Sequence, residues 1–140
     1  MKKLLILFLL KPIFANTIIL QNCNQTELNL SSIPKRYYNQ LYVKAPLDKK
    51  IHHYTGIKLK DFANLIKAKN KIKFIAYDDY VVTFDKNEIN SNYIYFAFLE
   101  NNKPIPLSKR GPAKIIYTKK DNNKDYFFKS IFLIKKVICE

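Results

Sequence analysis

A single amphipathic helix set among short apolar, β-rich runs is the feature that most restricts what this chain can fold into. Apolar residues recur at helical spacing across residues 58–68 and the lysines fall elsewhere, which predicts a helix with one buried face. The other apolar residues cluster in runs of about four to eight, the usual length of strands. The sequence therefore predicts an α+β fold, with a mixed β-sheet and few short helices.

The predicted strands follow from these runs and from the turn residues between them. They cover residues 17–20, 36–43, 71–76, 80–84, 93–99, 114–118 and 127–139, with a weaker run at 28–33. Residues 77–79, Tyr-Asp-Asp, suit a tight turn that joins two strands into a hairpin. Residues 85–89 suit a short helical turn, and residues 45–53 are predicted to be a polar loop.

Residues 1–15 have the order of a secretory signal peptide. Lys2 and Lys3 precede an apolar stretch at 4–10, and Ala15 is a small residue suited to cleavage. The alternatives are an uncleaved anchor and a buried first strand. We expect a periplasmic or otherwise exported protein whose single domain occupies residues 16–140. The mature chain has no second long apolar run, so we expect no membrane span in it.

The chain is strongly basic, with a formal net charge of +14. Arg36 and Arg110 are its only arginines, although arginine usually leads at specific nucleic-acid contacts. For an exported chain this argues against a nucleic-acid partner. The remaining interpretations are a solvated lysine surface, or attraction to an anionic membrane surface or an acidic partner.

Cys23 and Cys139 are the two cysteines of the chain, and neither belongs to a zinc-type cluster. An exported chain lies in a compartment that permits disulfides. If the first and last strands are neighbours, these cysteines can form one. Two free thiols and an intermolecular bond are the alternatives.

A set of short motifs in fixed order runs from Gly56 to the C-terminus. They are Gly56-Ile57-Lys58-Leu59 opening the helix, Asp79-Tyr80 after a strand, Ala97 in an apolar strand, Pro104 in a turn, and Arg110-Gly111-Pro112 before a strand that ends at Tyr117. In this order and spacing the chain resembles the oxidoreductase molybdopterin-binding domain family, whose fold is the sulfite-oxidase type.

The resemblance implies a non-catalytic member of that family. Its enzymes hold molybdenum through a cysteine thiolate in mid-domain, and this chain has no cysteine between Cys23 and Cys139. Short exported members are similar to regulators that bind a reduced pterin without metal. Those regulators dock on the sensory part of a membrane protein that controls cyclic-di-GMP. The alternatives are a molybdopterin-dependent oxidoreductase acting on a small sulfur or nitrogen oxide, and a ligand-free interaction scaffold.

By family order, Asp79 and Tyr80 are the candidates for contacting the pterin ring, since a flat ring needs an aromatic face and a carboxylate for its guanidine-like edge. The alternative is that Asp79 serves the hairpin turn and Tyr80 packs in the core. Arg110 can hold a phosphate or carboxylate, and Gly111 permits close approach of a ligand to the backbone. The alternative for this pair is an ordinary surface turn.

His53 is the remaining pocket candidate. Adjacent residues of a strand point to opposite faces, so His52 and His53 are not expected to share one metal ion.

Overall fold

The protein is described by a computed structural model that covers residues 16–44, 48–118 and 130–140. The strands are β1 (Thr17–Gln21), β2 (Glu27–Asn29), β3 (Asn39–Lys44), β4 (Ile51–Lys58), β5 (Ile72–Ala76), β6 (Val81–Phe84), β7 (Ile94–Glu100), β8 (Lys103–Pro104), β9 (Lys114–Tyr117) and β10 (Ile134–Cys139). The α-helices are α1 (Leu59–Ile66) and α2 (Lys86–Ile89). The protein is thus mixed α+β, mostly strands with few helices, as the sequence predicts.

The strands form two sheets. The first sheet has the order β2-β1-β10-β5-β6, in which β1 and β10 are parallel and the other pairs antiparallel. The second has the order β3-β4-β7, and both β8 and β9 pair with the far side of β7. The last strand therefore lies in the middle of the first sheet, between strands from distant parts of the chain.

Helix α1 follows β4 directly and packs between the sheets. The helical spacing predicts a buried face of Leu59, Phe62, Ala63, Leu65 and Ile66, and all of these are buried except Leu65, which is partly buried. The helix ends where Lys67 takes a left-handed conformation, with φ 63°, and its N–H bonds back to the carbonyls of Ala63 and Asn64.

A stack of phenylalanine rings joins the two sheets through this helix. The ring of Phe62 lies 4.1 Å from that of Phe96 in the second sheet and 5.9 Å from that of Phe74 in the first. All three side chains are fully buried. Aromatic burial of this extent makes the stack a major contribution to the core.

Residues 131–134 also connect the sheets, through backbone hydrogen bonds. Ile115 N–H of β9 donates to the Ile131 carbonyl, and Leu133 N–H donates to the Arg110 carbonyl, at 2.8 and 2.9 Å. On the other side, Tyr77 N–H at the end of β5 donates to the Leu133 carbonyl at 2.8 Å. The loop before β9 is thereby fixed next to the β5–β6 turn.

Most predicted elements are confirmed. Strands β5 and β6 form the predicted antiparallel hairpin, with Ile72 opposite Phe84, and α2 begins after Asp85, whose side chain and that of Glu88 form a reciprocal cap. The predicted loop at 45–53 is wrong at its end, because β4 begins at Ile51 and pairs with both β3 and β7.

The predicted signal peptide at 1–15 and part of the predicted last strand, residues 127–129, lie outside the described residues. Within residues 16–44, 48–118 and 130–140, none of the helices has the length and apolar character needed to cross a membrane.

Cys23 and Cys139 form a disulfide, with a sulfur–sulfur distance of 2.06 Å and 5.3 Å between the Cα atoms. Cys23 follows β1 and Cys139 ends β10, so the bridge depends on the parallel pairing of these two strands. It closes a loop across a sequence separation of 116 residues.

Removing this disulfide should destabilise the protein by about 2–5 kcal/mol, because the bridge restricts the unfolded chain over a long loop. We expect the Cys23→Ser/Cys139→Ser double variant to unfold at a lower denaturant midpoint than the oxidised protein. Wild-type protein in a reducing agent should unfold at the midpoint of the double variant. Equal midpoints for the oxidised protein and the variant would contradict a stabilising bridge.

Candidate functional site

A second apolar cluster lies on the face of the second sheet that points away from the phenylalanine stack. Its buried members are Leu41, Tyr54, Ala97, Ile105 and Ile116, and partly buried Val43, Tyr95 and Phe132 pack against it. We call this group the outer cluster. Ile105 reaches it from the loop between β8 and β9, so that loop covers part of the sheet.

Lys114 is a buried cation at the edge of this outer cluster. It is the first residue of β9, opposite Ala97 of β7, and only 6 % of its surface is exposed. Its Nζ donates a hydrogen bond to the Tyr54 hydroxyl at 3.1 Å and lies 4.9 Å from the centre of the Tyr54 ring. The Phe132 ring is on another side, at 5.3 Å. Two aromatic rings thus hold the ammonium by cation–π attraction.

The charges around Lys114 leave its ammonium only partly compensated. Burial is the main cause that lowers the pKa of Lys114 from its usual value, Glu100 raises it, and Arg110 lowers it further. Among the described residues no carboxylate lies within 4.0 Å of the ammonium. A buried cation in this position favours a ligand that brings hydrogen-bond acceptors or negative charge.

Arg110 extends this positive region. It follows a 3-10 turn in a left-handed conformation, with φ 69°, and its guanidinium lies 5.6 Å from the centre of the Phe132 ring. Phe132 is therefore shared by two cations. We call Tyr54, Arg110, Lys114 and Phe132 the Lys114 site.

Gly111 has a packing role beside this site. A Cβ added at Gly111 would collide with the carbonyl oxygen of Ile105, within the loop that covers the outer cluster. Only glycine fits so close to another backbone. The structure thus uses Gly111 to fold the loop that carries Arg110.

A histidine between two carboxylates lies next to the Lys114 site. The Nδ1 of His52 is 3.1 Å from Oε2 of Glu100 and its Nε2 is 2.8 Å from Oδ2 of Asp48. The hydrogen bond to Glu100 is the main cause that raises the pKa of His52, and the one to Asp48 adds to it. The Lys50 N–H and His52 lower the pKa of Asp48. The ring of His52 stacks on Tyr54 at 6.0 Å, which connects this group to Lys114.

Asp79 and Tyr80 belong to the first sheet, whereas Lys114 belongs to the second. Asp79 is in the β5–β6 turn with φ 69°, and Tyr80 beside it is 49 % exposed. The hydrogen bonds from Tyr77 to Leu133 and from Leu133 to Arg110 place this turn along the same edge as Arg110. Because Tyr80 is half exposed, it does not pack in the core.

His53 points to the opposite face of β4 from His52 and Tyr54, as neighbours in a strand do. Its Nε2 is hydrogen-bonded to Oε1 of Gln40, and its ring stacks on Tyr42 at 4.7 Å. The structure therefore does not bring His53 together with Arg110 and Lys114.

Molybdenum of the sulfite-oxidase type does not fit the side chains of this chain. That metal requires a free thiolate, and both cysteines of the sequence are joined in the disulfide. In the described ranges, no three His, Cys, Asp or Glu side chains are grouped so as to hold a metal ion. No protein-family model matches the chain, and no curated protein matches it significantly.

Sequence reasoning missed Lys114, Tyr54, Phe132 and Glu100 as site residues. One signal for Lys114 was present, since it stands between Ala113 and Ile115 in a strand that is buried on both faces. A lysine in such a strand must find a partner for its charge or a ligand.

The contribution of Lys114 to the free energy of unfolding should change with pH in the alkaline range. Because the folded-state pKa of Lys114 lies below its usual 10.5, the unfolded chain binds the proton more tightly. The stability of wild type relative to Lys114→Met should therefore rise as pH increases through the folded-state pKa towards 10.5. Urea unfolding of both proteins across neutral and alkaline pH measures this. A constant difference would contradict a buried ammonium.

His52 should give the opposite dependence. The folded-state pKa of His52 is raised above the usual 6.5. Its stabilisation of the folded protein is therefore complete below pH 6.5 and is lost as pH rises through the folded-state pKa. The advantage of wild type over His52→Gln should shrink over this range in urea unfolding. His53→Gln is the matched control, and a pH profile for His52→Gln that parallels wild type would disprove the assignment.

Proposed function

We propose that this chain is an exported, non-catalytic protein that binds a small planar ligand at the Lys114 site and acts through a protein partner. The observation that carries the proposal is the buried ammonium of Lys114, held by two aromatic rings and one hydroxyl, with no carboxylate within 4.0 Å among the described residues. Burying a charge is costly, and a ligand acceptor group that meets the ammonium would offset that cost.

A reduced pterin is the ligand class that this proposal favours. A pterin is a flat ring with hydrogen-bond acceptors along one edge and a guanidine-like group on another. Lys114 and Arg110 supply donors for the acceptor edge, the rings of Tyr54 and Phe132 supply apolar contact, and Glu100 supplies a carboxylate beside them. The family resemblance leads to the same ligand, and on it we propose that the α+β arrangement is the sulfite-oxidase type.

Export and a membrane-associated partner complete the proposal. The basic and apolar start of the chain supports secretion. The disulfide is compatible with it, since such bonds persist in oxidising compartments. By resemblance, the partner is the sensory part of a membrane-bound signalling protein, which would respond to the ligand-bound form. No role in catalysis is proposed, because the residues do not fit the metal that the related enzymes use.

Calorimetric titration with a tetrahydropterin under anaerobic conditions tests the ligand. We expect wild type to bind and Lys114→Met to bind at least about tenfold more weakly, the loss expected for a charged hydrogen bond. Arg110→Gln should weaken binding as well, and it changes an exposed side chain, so the fold is not at risk. Lys86→Met, far along the chain in α2, is the matched control.

Two results would contradict this function. One is wild-type protein that binds no tetrahydropterin, or binds it equally well after Lys114→Met and Arg110→Gln. The other is native protein, isolated from its own compartment, that contains one molybdenum per chain by metal analysis.

A further inference from the structure

The end of the β3–β4 hairpin carries the two most exposed large apolar side chains among the described residues. Ile51 is 72 % exposed and Tyr42 is 70 % exposed. In the strand register Lys44 lies opposite Ile51 and Tyr42 opposite His53, so Tyr42 and Ile51 are diagonal neighbours on one face. Two large apolar groups are thus displayed together at one end of the molecule.

Lysines surround these two side chains. Lys44, Lys49 and Lys50 are all exposed at this end of the hairpin. We call Tyr42, Lys44, Lys49, Lys50 and Ile51 the hairpin patch. Asp48 is the only described acidic residue between them, and its carboxylate already bonds the Lys50 N–H and His52. The patch therefore presents a net positive charge around an apolar centre.

The patch is held in place by the sheet. The ring of Tyr42 stacks on His53 at 4.7 Å with an interplanar angle of 9°, and His53 in turn bonds Gln40 in the neighbouring strand. Lys49 has a left-handed backbone, with φ 58°, in the turn that the Asp48 side chain closes. This stacking favours one orientation of the Tyr42 ring before it meets a partner.

We propose that the hairpin patch docks the protein on the surface of an anionic phospholipid bilayer. In this arrangement Ile51 and the ring of Tyr42 enter the headgroup region, where an amphipathic tyrosine is favoured. The lysine stems lie along the apolar side chains while their ammonium groups reach the lipid phosphates. The full sequence has a formal net charge of +14, of which Lys2, Lys3 and Lys11 contribute 3, so the mature chain keeps +11 (14 − 3) and is attracted to such a surface.

Charge complementarity favours an anionic bilayer as the partner of the hairpin patch. A lipid surface requires no shaped groove, only an apolar tip with cations around it, and the hairpin patch supplies both. The patch and the Lys114 site lie on opposite faces of β4, because His52 and Tyr54 point away from His53 and Ile51.

Co-sedimentation with vesicles tests the proposal. The vesicles are phosphatidylcholine alone or phosphatidylcholine mixed with phosphatidylglycerol, at low salt. We expect wild type to bind only the anionic vesicles and to be released by added salt. Ile51→Ser and Tyr42→Ser should each lower partitioning roughly tenfold. The Lys44→Gln/Lys49→Gln/Lys50→Gln variant should lower it about a hundredfold, at roughly fivefold for each lysine near the surface.

Matched controls separate the patch from general charge. Ile19→Ser removes another exposed apolar side chain, 51 % exposed on the first sheet. Lys60→Gln/Lys69→Gln/Lys86→Gln removes the same number of exposed lysines around the helices. Each control should bind nearly as wild type, and thermal unfolding should show that all variants are folded.

Three outcomes would overturn the proposal. The first is wild type that binds neither kind of vesicle or binds both equally. The second is a loss in the helix-lysine control as large as in the hairpin variant, since that shows diffuse attraction. The third is a stable dimer in sedimentation velocity that Ile51→Ser dissociates, because the patch would then be an interface between two copies.

Discussion

The contact of Phe62 with Phe96 and Phe74 is the interaction on which the rest of the structure depends. It places one short helix between two sheets and gives each sheet a buried face. The Phe74 and Phe96 rings also contact each other directly, with 6.3 Å between their centres, and the hydrogen bonds of residues 131–134 add a second connection between the sheets. Phe74 lies in β5, between β10 and β6, and Phe96 lies in β7, between β4 and β9, so both partners belong to inner strands of their sheets. The opposite face of the second sheet is not needed for this contact, and it carries the Lys114 site.

The outer face of the second sheet carries charged and polar side chains that would be destabilising in an apolar core without partners. Close packing there requires small residues: Ala97 is opposite Lys114, and a Cβ on Gly56 would collide with the backbone of Phe96 and Ala97. The same face carries a buried ammonium, a tyrosine hydroxyl and a histidine between two carboxylates. Such concentrations of perturbed titratable groups are found more often at functional sites than in purely structural positions. The residues that define this surface come from β4, β7, β9 and the 131–134 segment, so only the complete fold assembles it.

Local patterns were enough to predict much of the fold. The helix at Leu59–Ile66, the β5–β6 hairpin and the buried strand β7 each carry their own periodicity or turn residues. The order of the first sheet could not be predicted, because the parallel pairing of β1 with β10 joins the ends of the chain and no local pattern records it. The site was predicted only in part. Arg110 lies there, but His53 is on the opposite face, since the strand register that fixes its direction comes from pairing with β3 and β7. Lys114 was not singled out from the sequence, because it is one of 25 Lys and Arg residues.

The bond between Cys23 and Cys139 turns most of the chain into a covalent ring. A protease that cuts the backbone once at any point within this ring produces two ends but no free fragment. In a compartment rich in such enzymes, a nicked molecule keeps β1 and β10 side by side, and both sheets can remain assembled around them. After a single cut the two parts therefore stay covalently joined until the disulfide is reduced or the ring is cut a second time.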